Sequence, residues 1–529
     1  MNKKYLQFVV FVCLFALAFV LRVYHIGKFG LFGDEKQSVL LAVGNTNIGG
    51  MVDLMRPDTT FTPSDFWAPR GIQAWLKADA SGDVSGNSLL HDMALKVSAF
   101  LFGKGDAVFR GVSVFFNLLT LMVLYIWAKR LKWNLNWALA VLAIATIEPF
   151  FVIFSQQARN YTCSLFFTTL SNYYYWLILS KKEGATPPKK YFSAWALASL
   201  GALFSTYLTA LVLIGQLIFL FFHWPNTETI KRFFIASIFI LVPFGLWMTL
   251  GPGQYFLIYQ ADAAQQYRDY IQNHGEIAGW IEASTPIHLF KRTVSILSDQ
   301  FIWTNDLYNS YGFKIGAILL LLFGVVLRNW LKKMPKEERK FYLFGFLQIG
   351  LPVLVLFFSA INAQTTTGFF LRYASFGLPF GIFISLGLVK HVLKQHIWVR
   401  ILAGLFLMTQ VYTFVKLIKP LYRDGIQKYT FSIGREENPY PVIAKKIQSV
   451  YQSGDTVFYP SRFNNFLAST ELAKLNVDVA DAQLVNLYLR PDEKFIQKID
   501  TTNKDSVLIR GKNGRRLLIF DFKNGRYRY

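Results

Sequence analysis

The segment YLQFVVFVCLFALAFVLRVYHIGKFGLFGDEKQSVLLAV, residues 5–43, is a long apolar run followed by an acidic pair. The run over about 5–25 is long enough to cross a bilayer as a helix. It lacks a clear small-residue cleavage site, so we expect a retained first helix rather than a cleaved signal peptide. Asp34 and Glu35 follow it. Carboxylates are costly inside a bilayer, so we expect this pair at the membrane interface, within reach of both water and lipid.

The composition is that of a polytopic membrane protein. Of 529 residues, 53% are hydrophobic and only 16% are charged, whereas a soluble chain of this length would carry more charge. The net charge is +23, and Lys and Arg cluster in short loops between apolar runs. We attribute this charge mainly to membrane topology and expect no nucleic-acid partner; the alternative is a basic outer surface that meets anionic lipid. Cys13 and Cys163 fall inside predicted spans, so a disulfide framework is not expected.

Apolar runs of about 17–25 residues predict about eleven transmembrane helices. The division near Tyr207 is the least marked, since 191–223 is one nearly continuous apolar stretch. The predicted spans are roughly 5–25, 107–128, 135–154, 161–180, 191–206, 207–223, 232–251, 312–328, 341–361, 370–390 and 397–417.

The basic loops predict the orientation of these spans. They follow the second, fourth, eighth and tenth spans, on the same side as the N-terminus, and we interpret that side as cytoplasmic. The opposite side then carries a first loop over about 26–106, a second large loop over about 252–311, and the C-terminal tail. Within the first loop, 37–42 and 93–102 are predicted to be short amphipathic helices at the interface.

The tail has the pattern of a small α/β domain. Its predicted elements are the helix PVIAKKIQSVYQ (441–452) and the strands SGDTVFYP (453–460), SVLIRG (506–511) and RLLIFDF (516–522). The predicted fold class is therefore an all-α polytopic membrane protein with an added α/β domain. We place the membrane domain at 1–419 and the outer domain at 420–529.

Two further motifs stand at predicted span ends. One is EPFFVIFSQQARNY (148–161), between the third and fourth spans, and the other is FFLRYASFGLP (369–379), entering a late span. Together with Asp34-Glu35, their order and placement resemble the GT-C superfamily of lipid-sugar-dependent glycosyltransferases. The nearest likeness is to protein O-mannosyltransferases and to bacterial transferases of aminoarabinose to lipid A. The resemblance covers roughly residues 1–420.

The resemblance implies a GT-C fold in a bacterial inner membrane, with the C-terminal domain periplasmic. It also implies transfer of one sugar, a hexose or a pentose, from a polyprenyl-phosphate donor to a glycan, lipid or protein acceptor, with inversion. Asp34 would be the general base that takes the proton of the acceptor. Glu35, also counted as catalytic, would orient its neighbours or bind a cation. The alternative is a purely structural role, in which Asp34 is the N-cap of a helix beginning at Glu35.

The second and third motifs supply candidates for binding the lipid phosphate. Arg159 and Arg372 can each form two-pronged bonds to phosphate oxygens; the alternative is that each anchors its helix by reaching to the interface. Tyr161 and Tyr373 would bind the phosphate or pack on the prenyl chain, or else belong to an interfacial aromatic belt.

The chain departs from the resembled pattern at two places. Asn87-Ser88 stands where a Pro-Pro pair is common, and Gln157 stands where a Glu is usual. Asp83, Asp92 or Glu148 could substitute for that Glu. Gln157 itself, Asp83 and His91 are further candidates for binding the substrate or the lipid phosphate.

The sequence assigns no cofactor, and a divalent metal is the one candidate. A divalent metal could be held by Asp83, His91 and Asp92, although their spacing matches no recognised metal motif.

Three alternative functions stay open from the sequence. A transporter or flippase of lipid-linked glycans would show repeated halves and charges near the middle of the spans, and neither is evident. A polysaccharide polymerase or ligase usually places its large outer loop between later spans. A non-catalytic scaffold that binds glycolipid is the remaining class, and Gln157 keeps it open.

Overall fold

The computed structural model is mainly helical and describes residues 3–44, 59–67, 87–131, 133–180, 186–223, 225–428, 434–461 and 480–522. The α-helices are α1 (Lys3–Val23), α2 (Gly33–Ala42), α3 (Pro63–Trp67), α4 (Leu89–Phe102), α5 (Asp106–Arg130), α6 (Leu135–Ile147), α7 (Pro149–Ser155), α8 (Tyr161–Leu179), α9 (Lys189–Leu203), α10 (Ala210–Phe222), α11 (Thr227–Leu250), α12 (Phe256–His274), α13 (Pro286–Gln300), α14 (Leu307–Ser310), α15 (Gly312–Lys332), α16 (Lys336–Ala363), α17 (Leu371–Ala374), α18 (Leu378–Val392), α19 (Ile397–Asp424), α20 (Tyr440–Val450) and α21 (Ala480–Asn486). Short 3₁₀ turns lie at Tyr207–Thr209, Pro252–Tyr255 and Ser375–Gly377.

Several of these helices can cross a membrane, so the chain is a multi-pass membrane protein. Within the described ranges, seven have the required length and apolar composition: α1, α5, α11, α15, α16, the stretch formed by α17 and α18, and α19. An eighth span is formed if α6 and α7, which meet at 53°, are counted together. The larger number of eleven spans stays a prediction.

The predicted span over 135–154 is broken near its end. Pro149 occupies the first turn of α7, where its missing N–H is harmless, and the Glu148 side chain accepts a 2.9 Å hydrogen bond from the Phe151 amide. The Glu148-Pro149 pair therefore ends one helix and begins the next, within a run that appears continuous by apolar composition alone. The stretch over 191–223 is divided in the same way, by the 3₁₀ turn at Tyr207–Thr209.

The two predicted interfacial helices differ in their surroundings. The segment 37–42 is the end of α2, and every residue from Glu35 to Ala42 is buried, so its predicted place on the membrane surface is wrong. Its apolar residues instead pack in one core with α4 and with the C-terminal region. By contrast, α4 exposes Phe100 at 86% and Phe102 at 73%, which is the apolar face that an interfacial helix needs.

A five-stranded sheet joins the tail to the first loop. Its strands are β1 (Thr60–Phe61), β2 (Thr456–Pro460), β3 (Ile496–Asp500), β4 (Ser506–Arg510) and β5 (Arg516–Asp521), in the order β1-β3-β2-β4-β5. The pair β2–β3 is parallel and the other pairs are antiparallel. The helix and three strands predicted for the tail are present, and β3 and α21 are additional.

The first loop contributes an edge strand to that sheet. Thr60 pairs with Lys498 and Phe61 with Gln497. In addition, the Trp67 indole N–H donates to the backbone carbonyls of Asn486 at 3.1 Å and Leu489 at 3.0 Å. The α/β unit is therefore built from both ends of the chain, whereas the sequence predicted it from 420–529 alone.

A buried arginine fastens the first span to the body of the protein. Arg22 is 0% exposed. Its guanidinium donates to the Asn117 side chain at 2.5 Å and to the backbone carbonyls of Ala145 and Thr146, each at 3.1 Å. A buried cation with unmet donors would be costly, so these bonds hold α1 against α5 and the end of α6.

The close approach of α18 to α13 requires a glycine. A methyl group on Gly381 would overlap the backbone carbonyl of Gln300. We expect Gly381→Ala to lower the free energy of unfolding by about 1–3 kcal/mol, because the obstructing atom is backbone and cannot turn aside. Thermal unfolding in detergent measures this. Gly404→Ala in α19 is the control, since nothing among the described residues lies within 4 Å of its added methyl; equal melting temperatures for the two variants would contradict the packing argument.

Candidate functional site

Asp34 lies in the first turn of α2 and is partly open to solvent. The helix begins at Gly33 with Phe32 as the N-cap residue, and the side chain that reaches back to the Phe32 amide, at 3.0 Å, is that of Glu35. The alternative in which Asp34 caps a helix beginning at Glu35 is therefore wrong. The Asp34 side chain is 26% exposed, so its carboxylate is available for another role.

Glu35 occupies the opposite environment, since it is 0% exposed. One carboxylate oxygen accepts from Arg110 Nε and from the Ala158 amide, both at 2.8 Å. The other accepts from Arg110 Nη2 at 2.8 Å, from the Phe32 amide and from Arg435 Nη1 at 3.2 Å. We call Glu35 and these four partners the Glu35 cluster. This enclosure favours the orienting role predicted for Glu35 over direct contact with a reacting atom, and its catalytic role stays a prediction.

The pKa of Glu35 is shifted downward by these partners. Burial by itself would raise it, but the charge of Arg110 and its hydrogen bonds, the charge of Arg435 and the Ala158 amide outweigh that effect. The carboxylate is therefore ionised in the folded protein at neutral pH.

Two arginines face Asp34 from separate parts of the chain. Arg372 Nη1 lies 3.5 Å from Asp34 Oδ2. Arg159 Nη1 donates to the backbone carbonyl of Asp34 at 3.0 Å and to Ser38 Oγ at 2.8 Å. We call Arg159 and Arg372 the Arg pair. Their guanidiniums turn inward to α2, and that of Arg372 is only 11% exposed, which disfavours the alternative of helix anchors reaching to the interface.

The Arg pair has hydrogen-bonding capacity left over. Each guanidinium carries five N–H donors, yet among the described residues the buried Nε atoms of both find no partner. The pKa of Arg159 is raised overall. Burial and the charge of Arg372 lower this pKa, but the charges of Tyr161 and Asp34 outweigh them. Two cations and one carboxylate thus share a small space, and a further anion would satisfy them both in charge and in hydrogen bonds.

The two predicted tyrosines stand beside these arginines. The Arg159 guanidinium carbon lies 5.9 Å from the ring centre of Tyr161, and that of Arg372 lies 4.8 Å from the ring centre of Tyr373. Both distances are within cation–π range. The tyrosines therefore support the cations directly, which is more than an interfacial belt requires.

His91 is fully buried, and its Nδ1 lies 3.6 Å from Asp92 Oδ1. Burial, with a smaller contribution from the Arg159 charge, lowers the pKa of His91 to about 3, so the ring is neutral. Asp83 lies outside the described residues. Within the part of the chain that the structure describes, no group of three His, Cys, Asp or Glu residues could hold a metal, and the metal site that needs Asp83 stays a prediction.

Gln157 is buried, and its backbone carbonyl accepts from the Arg159 amide at 2.8 Å. Of the residues suggested to replace the usual Glu here, Glu148 caps α7, and Asp92 accepts a 2.6 Å bond from Ser88. Each of these two carboxylates therefore has a local structural partner.

Sequence reasoning missed Arg110, Arg435 and Ser38. Arg110 had a detectable signal, because a lone arginine inside an apolar span is costly unless it has a partner. Arg435 and Ser38 had no such signal in the sequence. Arg435 is a polar residue in a loop, and Ser38 is a polar residue close to an acidic pair, and both situations are common.

The comparisons with known proteins are limited to structure. No protein-family model matches the sequence, and no curated protein is similar to it in sequence. Among solved structures, it is similar to the apo oligosaccharyltransferase of Archaeoglobus fulgidus, with a TM-score of 0.48, 11% identity, and coverage of 85% of this chain and 59% of that one. It is also similar to ArnT from Cupriavidus metallidurans bound to undecaprenyl phosphate, with a TM-score of 0.46, 11% identity, and coverage of 92% and 85%.

A third similar structure is the protein O-mannosyltransferase complex of S. cerevisiae bound to the sugar donor, with a TM-score of 0.33, 14% identity, and coverage of 54% and 38%. The chain thus spans less than two thirds of the archaeal and yeast chains. Because these TM-scores lie below 0.5, the likeness does not transfer the activity or the site residues of those proteins to this chain.

The Glu35 cluster predicts a dependence of stability on pH. Since the pKa of Glu35 is lowered on folding, its stabilisation is fully present above the ordinary value of 4.5 and is lost as the pH falls below it. We expect Glu35→Gln to lower the free energy of unfolding at neutral pH by about 3–5 kcal/mol, because it leaves buried arginines without their anion.

Thermal unfolding at pH 7 and at lower pH measures both effects. Glu337→Gln is the matched control, since the Glu337 side chain is 83% exposed and pairs only with Lys340 among the described residues. A Glu35→Gln variant as stable as this control would show that the cluster does not hold the site together.

Proposed function

We propose that this protein is a membrane glycosyltransferase. It would move a single sugar from a polyprenyl-phosphate donor to an acceptor on the outer face of the membrane, with inversion at the anomeric carbon. The observation that carries the proposal is the contact of a partly exposed carboxylate, Asp34, with the Arg pair, which retains unused donors. A general base beside an anion site is what single displacement from a sugar phosphate needs.

The Arg pair would bind the phosphate of the donor. Arginine presents paired N–H groups that match phosphate oxygens and stays charged at any relevant pH. As the bond from the anomeric carbon to the phosphate oxygen breaks, negative charge grows on the departing polyprenyl phosphate. The buried guanidiniums of Arg159 and Arg372 would stabilise that charge more strongly than water could.

Asp34 would act on the acceptor. An acceptor hydroxyl attacks the anomeric carbon from the face opposite the phosphate, and its proton passes to the Asp34 carboxylate. The new bond to the acceptor oxygen forms as the bond to phosphate breaks, so one displacement inverts the configuration. The partial exposure of Asp34 leaves the room that an acceptor would need.

The membrane setting fits a lipid-borne donor. Arg372 stands at the start of a stretch that is long enough to span a membrane, and the exposed apolar face of α4 is suited to lie on lipid. The prenyl chain would then lie along the spans while the sugar meets Asp34. The acceptor would be a glycan, a lipid or a protein that approaches from the side of the α/β unit.

The role of Asp34 is tested by Asp34→Asn. We expect this variant to lose transfer by at least about 10²-fold, because the amide cannot take the proton of the acceptor, while its affinity for undecaprenyl phosphate stays within about twofold. Purified protein in nanodiscs would be offered a panel of radiolabelled polyprenyl-phosphate sugars, and release of polyprenyl phosphate would be measured. The control is Asp492→Asn, whose side chain is 74% exposed in the α/β unit.

Full activity of a correctly inserted Asp34→Asn protein would overturn the assignment of the base. Binding of donors without release by the wild type would favour a carrier of lipid-linked glycans.

The role of the Arg pair is tested by Arg372→Lys. The substitution keeps the charge but loses the two-pronged donor, so the dissociation constant for undecaprenyl phosphate should rise by roughly tenfold or more. Binding would be measured by thermal shift or by a radiolabelled ligand. Arg328→Lys, at an exposed position of α15, should bind as the wild type does. Equal affinity of the Arg372→Lys variant and wild type would remove Arg372 from the phosphate site.

A further inference from the structure

The segment after the last span returns to the first loop next to the site. The helix α19 ends at Asp424, and the Arg435 amide donates to the Asp424 carbonyl at 2.8 Å. The Gly30 amide then donates to the Glu436 carbonyl at 2.7 Å. Backbone bonds thus fix residues 435–436 against the stretch that leads into α2 and Asp34.

The Arg435 side chain ties three parts of the chain together. Its Nε donates to the Gly425 carbonyl at 2.8 Å, and its Nη1 donates to the Gly30 carbonyl at 3.1 Å and to the Glu35 carboxylate at 3.2 Å. The side chain is only 8% exposed. A guanidinium with several fixed donors can set the relative positions of three acceptors, which a single-point cation such as lysine cannot do.

Arg435 differs from Arg110 in where it comes from. Arg110 belongs to α5 and already gives Glu35 a two-pronged partner at 2.8 Å. Arg435 belongs to the segment that leads to the α/β unit. Therefore Arg110 satisfies most of the buried charge, whereas Arg435 supplies a connection between the outer unit and the turn that carries Asp34.

The outer unit is attached to the first loop at further points. Asn438 Nδ2 donates to Asp106 Oδ1 at 2.8 Å and to the Tyr488 hydroxyl at 2.9 Å. The pairing of β1 with β3 and the bonds of Trp67 add a second attachment. A shift of the outer unit would consequently move Arg435 and the first loop together.

We propose that Arg435 is a positioning residue for the transfer step: through Glu35 and Gly30 it holds Asp34 in place and makes catalysis depend on the outer α/β unit. This inference rests on the proposed function and adds a residue outside the motifs that suggested it. Catalytic groups need placement well within 1 Å, and a misplacement of that size can cost about 10²-fold in rate. The Arg pair does not contact Arg435 in the described residues, so donor affinity should not depend on it.

The test compares Arg435→Gln and Arg435→Lys with the wild type in nanodiscs. For the donor that the wild type turns over, we expect kcat to fall by about 10–10²-fold in Arg435→Gln and by less in Arg435→Lys, which keeps a charge beside Glu35. The dissociation constant for undecaprenyl phosphate should stay within about twofold in both. Arg423→Gln is the control, since the Arg423 side chain is 66% exposed and pairs with the neighbouring Asp424.

A fall in kcat at unchanged phosphate affinity supports the proposal, and Arg435→Lys carries the test if Arg435→Gln does not insert. Unchanged kcat in a folded Arg435→Gln variant overturns it. A loss of phosphate affinity and melting temperature in step with kcat, in both variants, also overturns it, because Arg435 would then serve folding alone. If the wild type turns over no donor, the proposed function itself fails; an active wild type with an equally active variant removes only the positioning role.

Discussion

The buried carboxylate of Glu35 is the constraint on which the site depends. An ionised group in the interior is tolerated only when it is paired and fully hydrogen-bonded. Glu35 meets this condition through donors from four places: the turn before α2, the span α5, the loop before α8 and the segment after α19. Because one side chain needs all of these partners, four separate stretches of backbone are brought to a single point.

That constraint explains how two adjacent acids come to differ. Successive residues of a helix point about 100° apart, so Asp34 and Glu35 meet different surroundings. Glu35 faces the interior and is enclosed, while Asp34 faces the Arg pair and keeps access to solvent. The Ala158 amide, which binds Glu35, stands next to Arg159 in the chain. The same cluster therefore sets the position of a cation on one side and of a carboxylate on the other.

The outer α/β unit is part of this arrangement and not an appendage. Its edge strand and one of its packing helices come from the first loop. Its connecting segment supplies Arg435 to the Glu35 cluster. An acceptor held by this unit would thus sit on a surface that is mechanically continuous with Asp34, which is the physical basis for the positioning role proposed for Arg435.

The sequence by itself determined the features that depend on local composition and pattern. Long apolar runs predict helices such as α1 and α19 because a bilayer demands length and hydropathy. Short apolar runs bounded by polar and turn residues predict strands β4 and β5. The acidic pair after the first span singled out Asp34, and the motifs that resemble those of GT-C transferases singled out Arg159 and Arg372. These signals need no knowledge of partners, although they could not show the break before Pro149 or the burial of 37–42.

The tertiary structure alone decided which acid is enclosed, which arginines have donors to spare, and where β1 pairs. Glu35 and Arg435 are 400 residues apart in sequence, and Thr60 pairs with Lys498 across a similar separation. The local sequence around one residue of such a pair does not identify its partner, because burial and long-range pairing depend on the folded structure and not on the adjacent residues.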